Sequence, residues 1–397
     1  MQKYQYFPFK YLWILVVLPK MVQFTALFAF LVFVIFKDHG RIFSNTVSNC
    51  FYILATTQLL AIIFHLGGQD PSRIFAAINT VTIWIIAMLL FGHYKHSSID
   101  LTKIGKYCFI NIMILGFLGI LMIVVLKFGR TNIAFLGNDL TVSDWQDGVQ
   151  TLRLDAFMEY PNLIIIFILE QFPLAFLYLK CKENKILIIT LIIMVSIPTW
   201  LSHSRAGVVA VAISTGIVIF STMNLRGRDL QIIIVLGLLA GAIATAVMHD
   251  EVVKVLQQIL VSRQGSTSMR ENIYKTSLQV TLENSPIIGN GIKTEFFGYP
   301  LGSHSTYIGL FYKAGLIGLI AAVLGFWFLF QLLYRKLTAG GTRLLYVGCY
   351  LALMAFLTFE DLDGAEWSLI IFWSLMGTLT KNVNTPHPKQ LRTCLGS

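Results

Sequence analysis

GKYCFINIMILGFLGILMIVVL, residues 105–126, decides the fold class. The run has 22 residues and Lys106 is its single charge. A helix of that length measures ~33 Å, enough to cross a hydrocarbon core of about 30 Å. Similar runs lie on both sides of it, near 46–66, 74–93, 161–179, 186–202, 206–222, 230–248, 314–334, 344–359 and 367–380. The stretch 11–36 is also apolar but is interrupted by Pro19-Lys20, so it reads either as one long span or as a short span followed by 21–36. The expectation is an all-α polytopic membrane protein of eleven or twelve transmembrane helices, forming one domain over residues 1–397.

Composition agrees. Hydrophobic residues make up 56% of the 397 and charged residues 13%, about half the ~25% charge of a soluble domain. Mean hydropathy is +0.72, too high for a soluble chain of this size. Five cysteines make no disulfide framework, and neither disorder, a coiled coil nor a collagen-like fibre fits. No cleavable signal peptide is evident, because the first apolar run leads into further spans. The net charge of +10 reads as loop charge rather than as a nucleic-acid surface.

Alternating the loops sorts that charge. One set holds Lys37, Arg41, Lys95, Lys103, Lys180, Lys182, Lys185, Arg226, Arg228, Arg335, Lys336, Arg343, Lys381, Lys389 and Arg392, and the positive-inside rule makes it cytoplasmic. The other set comprises 67–73, 127–160, 203–205, 249–303 and 360–366, and carries 15 of the 20 carboxylates. Cys50, Cys108, Cys181, Cys349 and Cys394 fall in or near the cytoplasmic ends, where thiols stay reduced. The two long loops, 127–160 and 249–303, therefore face outward.

The inner loops carry no P-loop, no GxGxxG and no paired carboxylates, and neither HExxH nor CxxC occurs anywhere. No metal and no cofactor is expected. Three outward features remain. Ser202-His203-Ser204-Arg205 places Arg205 in the first turn of a helix, where the dipole disfavours a cation; a snorkelling surface arginine is the bland reading. Arg263 and Arg270 flank Gln264–Ser268, followed by a helical run Glu271–Leu282 and then Pro286-Ile287-Ile288-Gly289-Asn290-Gly291. Those glycines either admit an anion to backbone N–H groups or simply turn the chain, and the turn is favoured. His304 opens an apolar helical pattern, with residues 304–313 expected along the outer interface and Lys313 at the membrane surface. In a straight helix, nine positions would put Lys313 on the face opposite His304. Several guanidinium groups and one imidazole suit a pyrophosphate-bearing substrate. A histidine at its unperturbed pKa of ~6.5 could accept a hydroxyl proton near neutral pH.

His304-Ser305, nine residues, then Gly315-Leu316-Ile317-Gly318 resembles the His-Asn/Ser/Gln, x9, Gly-x-x-Gly pattern of bacterial O-antigen ligases. Ser204-Arg205-Ala206-Gly207 is similar to the Ser-Arg-Gly/Ala segment of the same superfamily. Glu283-Asn284-Ser285-Pro286-Ile287-Ile288-Gly289-Asn290-Gly291 resembles its E-N-P-I-x-G-x-G segment, with Ser285 inserted. Phe359-Glu360-Asp361-Leu362-Asp363 looks like its short acidic outer loop, and Arg153 through Pro161-Asn162 like a segment before one of its middle helices. The likeness runs from about residue 150 to Ser397; Val208-Val209 departs from it, replacing a tryptophan frequent in the ligases.

The resemblance implies a metal-independent glycosyltransferase in the bacterial inner membrane, with periplasmic loops 127–160 and 249–303. It would take an undecaprenyl-pyrophosphate-linked glycan donor and pass the O-antigen polysaccharide to lipid A–core. Arg205 and Arg270 would hold the pyrophosphate, with Arg263 able to replace Arg270, and His304 would assist the acceptor hydroxyl. Arg153 and Glu360 are accessory candidates. O-antigen and exopolysaccharide polymerases, whose acceptor is another lipid-linked repeat, share nearly the same residues; the ligase is preferred for the histidine–glycine spacing and the Phe359–Asp363 loop. A polysaccharide or solute transporter is the reading from another class, and it rests on one intramembrane charge, Glu170, read as facing the bundle interior.

Overall fold

The computed structural model describes residues 3–38, 44–97, 99–127, 133–146, 149–222, 264–336 and 341–381. The predicted span 230–248, Arg263, Cys394 and the loop 223–229 lie outside them. Six of the described helices are long and apolar enough to cross a membrane, and four shorter apolar helices join them. The chain is an all-α polytopic membrane protein.

The N-terminal ambiguity has a clear outcome. After a 3-10 turn, Lys3–Tyr6, two short helices follow, α1 (Phe7–Lys10) and α2 (Leu12–Val17), before α3 (Lys20–Lys37). Tyr94 donates to the Gln5 carbonyl at 2.9 Å, Asn111 to Phe9 at 3.0 Å, and Asn138 to Val17 at 2.9 Å. Residues 5–17 thus climb from the end of the bundle that holds Tyr94 to the end that holds the 133–160 segment. Proline at 19 cannot continue the ladder, and Gln23 satisfies the orphaned Leu18 carbonyl at 2.7 Å. Helix α3 then returns, starting at the Lys20–Glu159 ion pair (2.6 Å) and ending where Asp38 meets His93. The stretch 11–36 therefore belongs to two passes.

The following passes are α4 (Thr46–Phe64), α5 (Pro71–His96), α6 (Leu101–Lys127), α7 (Leu163–Cys181), α8 (Lys185–Leu201) and α9 (Arg205–Thr222). Beyond the undescribed stretch come α10 (Gln264–Asn284), α11 (Thr306–Lys336), α12 (Gly341–Phe356) and α13 (Glu366–Leu379). All 14 residues of α13 are buried, as are 16 of the 19 in α7. Helices apolar all round belong at the centre of a bundle, and these two form its axis. Trp373 of α13 makes edge contacts with Phe51 of α4 and Phe91 of α5 and stacks on Phe326 of α11. Glu170 lies in α7, 4% exposed, in the bundle interior as its mid-span position suggested.

The two ends of the bundle differ. Lys37, Lys180, Lys182, Lys185 and Lys336 gather at one, in the turns and helix ends. The other holds the long connections. Two strand pairs lie there, β1–β2 (Ala134–Phe135, Asn138–Asp139) and β3–β4 (Thr141–Gln146, Val149–Leu154). Helix α10 and a small hairpin, β5–β6 (Glu295–Phe296, Tyr299–Pro300), lie there too.

Helix α11 is broken at Gly315, whose φ of 61° and ψ of −162° suit only glycine. The segment Pro286–Gly291 fills the break. Leu316 and Ile317 donate to the Pro286 and Ile287 carbonyls, while Asn290 and Gly291 donate to those of Tyr312 and Lys313, at 2.8–3.2 Å. The Gly289 N–H goes to Ser285. These glycines are thus a turn with its donors spent on protein, not an anion cradle. A methyl group on Gly315 would lie 2.3 Å from the Ile287 oxygen, and one on Gly289 2.5 Å from the Gly315 nitrogen.

One expectation is overturned. Residues 304–313 are not a surface lead-in, because Thr306, Gly309, Leu310, Tyr312 and Lys313 are buried. Lys313 pairs with Asp363, each side chain about 4–5% exposed. The chain is not helical at His304, so the rotation that separated it from Lys313 does not apply. The physical reason is the acidic loop: buried carboxylates there compensate a cation that would otherwise have stayed in water.

Candidate functional site

Phe359–Asp363, the connection between α12 and α13, is the hub of the end that carries the long connections. Thr306 clamps it. Its N–H and hydroxyl both donate to the Glu360 carbonyl, at 2.9 and 2.7 Å, and its hydroxyl oxygen accepts from the Leu362 N–H at 2.8 Å. Thr306 is the first residue of α11, so the clamp ties the start of that helix to the loop. Each acid then takes a partner from a different element. Glu360 accepts from Asn162, just before α7, and from Arg270 of α10 at 3.2 Å. Asp361 faces Lys293 at 3.5 Å. Asp363 takes Lys313 and the Trp84 indole, the latter at 3.0 Å. Glu366 accepts from Asn79 at 2.9 Å.

The sequence-derived candidates fall on this hub or next to it. Arg270 donates to Glu360 and to the Phe359 carbonyl (3.3 Å) with its side chain 29% exposed. His304 precedes α11 with φ at 62°, and its carbonyl accepts from Tyr274 of α10, one turn beyond Arg270. Arg153 of β4 donates to Asn162 at 3.0 Å and to the Ser202 carbonyl at 2.9 Å. Ser202 ends α8. Ser204 then caps α9 through the Gly207 N–H at 3.3 Å, which leaves Arg205 half-buried in the first turn as expected. An unbroken chain of contacts therefore leads from the Arg205 turn through Arg153, Asn162, Glu360, Arg270 and Tyr274 to His304. Arg205 and His304 share one end of the bundle. Arg263 lies outside the described residues.

Burial sets the protonation of the site. It pushes the His304 imidazole down to about 4, helped by the Arg270 cation and opposed by Asp361. That is well below the ordinary value, so His304 is neutral at neutral pH. Glu360 moves the other way. Burial raises it to about 7 against the pull of Arg270 and the Asn162 hydrogen bond, with Asp361 adding to the rise. Nearby, burial lifts Asp155 to about 8 and Glu159 to about 7. Among the described residues no group of three or more His, Cys, Asp and Glu side chains is placed to hold a metal ion.

Several members of the site escaped the sequence reading. Tyr274, Lys293, Lys313 and Trp84 carry no local pattern that sets them apart. Asn162 and Asp361 stood inside quoted segments without a role. Thr306 alone had a signal, as a threonine two residues after a candidate histidine at the start of an apolar helix, where hydroxyls cap and clamp.

Fold and site together define a polytopic membrane protein with a cluster of arginines, a histidine and acids gathered at one end of its helices. Residues 189–323 match the family model described as O-antigen ligase. That match supports the O-antigen ligase superfamily for this chain, and with it a membrane glycosyltransferase of the ligase or polymerase type. The matched stretch contains Arg205, Arg270, His304 and the Gly315–Gly318 pair. No curated protein matches the chain.

Proposed function

We propose that this single transmembrane domain is an O-antigen ligase of the bacterial inner membrane, working on its periplasmic face. It moves O-antigen polysaccharide from undecaprenyl pyrophosphate to lipid A–core. The observation that carries the proposal is the contact chain joining the Arg205 turn, Arg153, Arg270 and His304 at one end of the bundle. The opposite end gathers the basic turns, which supports placing the site outside.

Arg205 and Arg270 hold the pyrophosphate in this reading. Arg270 spends two N–H groups on protein, and a guanidinium carries five, so it can bridge Glu360 and a phosphate oxygen. Arg153 steadies the Arg205 turn through Ser202. His304, neutral and with no hydrogen bond to its ring among the described residues, orients the acceptor hydroxyl. The hydroxyl oxygen bonds to the anomeric carbon as its proton passes to a neighbouring base, the bond to the phosphate oxygen breaks, and the arginines stabilise the charge that grows there. Neither ATP nor a metal is needed, because the donor is already activated. A polymerase would use the same atoms with a lipid-linked repeat as acceptor.

The test is transfer by purified protein in lipid nanodiscs, given lipid-linked donor and lipid A–core, with chelator present. Arg205→Ala and His304→Ala are each expected to lower the rate at least ~100-fold while thermal melting stays within a few degrees. Transfer at the wild-type rate by either well-folded variant overturns these roles. If product forms only when a lipid-linked repeat is the acceptor, the protein is a polymerase.

A further inference from the structure

Glu360 stands apart from the other acids at this end of the bundle. Asp363 is spent on a buried lysine and an indole, whereas Glu366 bonds Asn79 through one oxygen and keeps the other buried without a partner among the described residues. Asp361 leans towards Lys293. In Glu360 both bonded neighbours, Asn162 and Arg270, converge on the same oxygen, Oε1. The second oxygen, Oε2, takes no hydrogen bond among the described residues, in a side chain that is 2% exposed. The carboxyl is therefore held by one atom, and the other is left unbonded. The holding groups come from three places in the chain: Asn162 ahead of α7, Arg270 on α10, and Thr306, which pins the Glu360 backbone.

We infer that Glu360 is the general base of the transfer, its Oε2 taking the proton of the acceptor hydroxyl while Arg270 holds the pyrophosphate beside it. This rests on the glycan-transfer reading above and deepens it, since it divides work that a single histidine was expected to do. The step balances. The acceptor O–H proton goes to Oε2, and the oxygen forms a bond to the anomeric carbon. The bond to the phosphate oxygen breaks, and its electron pair leaves on polyprenyl pyrophosphate. The protonated carboxyl then returns its proton to water.

The charges around Glu360 make the assignment conditional on donor. Arg270 is the cation that favours its ionised form; Asp361 opposes it. Tyr160 and Tyr274 lie near it un-ionised, and Arg153 bonds its partner Asn162. A pyrophosphate bound to Arg270 draws that cation's field away from Glu360 and adds negative charge nearby. Both effects make the carboxylate more basic, so the base strengthens when the donor arrives. His304, pushed down to about 4, has little proton affinity to offer at neutral pH. Glu360, raised to about 7, matches the working range of a general base.

The experiment is the pH dependence of single-turnover transfer, with donor binding measured separately by equilibrium capture of lipid-linked glycan. The wild type is expected to lose rate as pH falls through the neutral range. Glu360→Gln is expected to keep donor binding within a few-fold, lower the transfer rate by ~10²–10⁴, and abolish that acidic limb. His304→Gln is expected to keep the limb. Asn162→Ala removes a hydrogen bond that favours the ionised form, so it moves the limb to higher pH; this arm reads the same group if Glu360→Gln does not fold. Transfer by Glu360→Gln within a few-fold of wild type, or an acidic limb unmoved in Asn162→Ala, overturns the inference. Failure of the wild type to transfer with any acceptor overturns the glycan-transfer reading itself.

Discussion

Lys313 and Asp363 form an ion pair with side chains 4% and 5% exposed, and Trp84 adds a third member through its indole N–H. Burial raises the Asp363 carboxyl, but Lys313 and Lys293 more than offset this and hold it below the usual range. Its stabilising contribution is therefore present above the ordinary carboxylate pKa and is lost as pH falls through the lowered one. Removing one partner strands the other in the interior. Lys313→Met is expected to destabilise the protein by about 3–5 kcal/mol, read as a fall in detergent-solubilised melting temperature. The double variant Lys313→Met/Asp363→Leu should recover most of that loss; if it melts as low as the single variant, the two side chains are not coupled. Such pairs are hidden in a linear reading. The partners of the acidic loop lie 50, 90 and 198 residues away in the chain, and an apolar lead-in containing one lysine gives no hint of the acid that meets it. The arginines and His304 were legible because their neighbours in sequence form a pattern. Their partners were not, since only the fold assembles those.

At the level of elements, hydropathy located the long helices well because each is one uninterrupted apolar run. It faltered where backbone chemistry breaks the run. The first pass is short and irregular, and Pro19 separates it from α3 only by forbidding a continuous ladder. The break in α11 is subtler, since Gly315 sits among apolar residues that look continuous. What pins it is the turn at 286–291, which supplies acceptors to Leu316 and Ile317 and takes the carbonyls of Tyr312 and Lys313. The spacing of His304 to Gly315 and the Gly289-Asn290-Gly291 turn are therefore two halves of one packing device. Together they hold α11's first turns under the acidic loop, with Thr306 in reach of Glu360. Gly315→Ala must place a methyl 2.3 Å from the Ile287 oxygen and adopt a backbone region reserved for glycine. It is expected to cost about 3 kcal/mol or more and to lower transfer by loosening His304 and Thr306. Gly298→Ala, also at positive φ but with open space around it, should cost only about 1 kcal/mol. Equal melting temperatures for the two variants would show that the α11 break tolerates a side chain.

Across the whole molecule, the separation of charge is what gives the site a side. Glu183 is exposed in the turn between α7 and α8, among Lys180, Lys182 and Lys185. Glu283 is exposed near the end of α10, the helix that carries Arg270 to the acidic loop. The two positions lie at opposite ends of the bundle, because α7 begins beside Glu360 through Asn162 and runs away from it to Cys181. If the basic end is cytoplasmic, a cysteine at 283 meets periplasmic water and one at 183 does not. In a background with the five native cysteines replaced by serine or alanine, Glu283→Cys is expected to react with a membrane-impermeant maleimide once the outer membrane is permeabilised. Glu183→Cys should react only after the inner membrane is opened as well. The reverse pattern would put the arginines and Glu360 in the cytoplasm. The proposed placing of this chemistry on the outer face would then fail even if the residues proved catalytic.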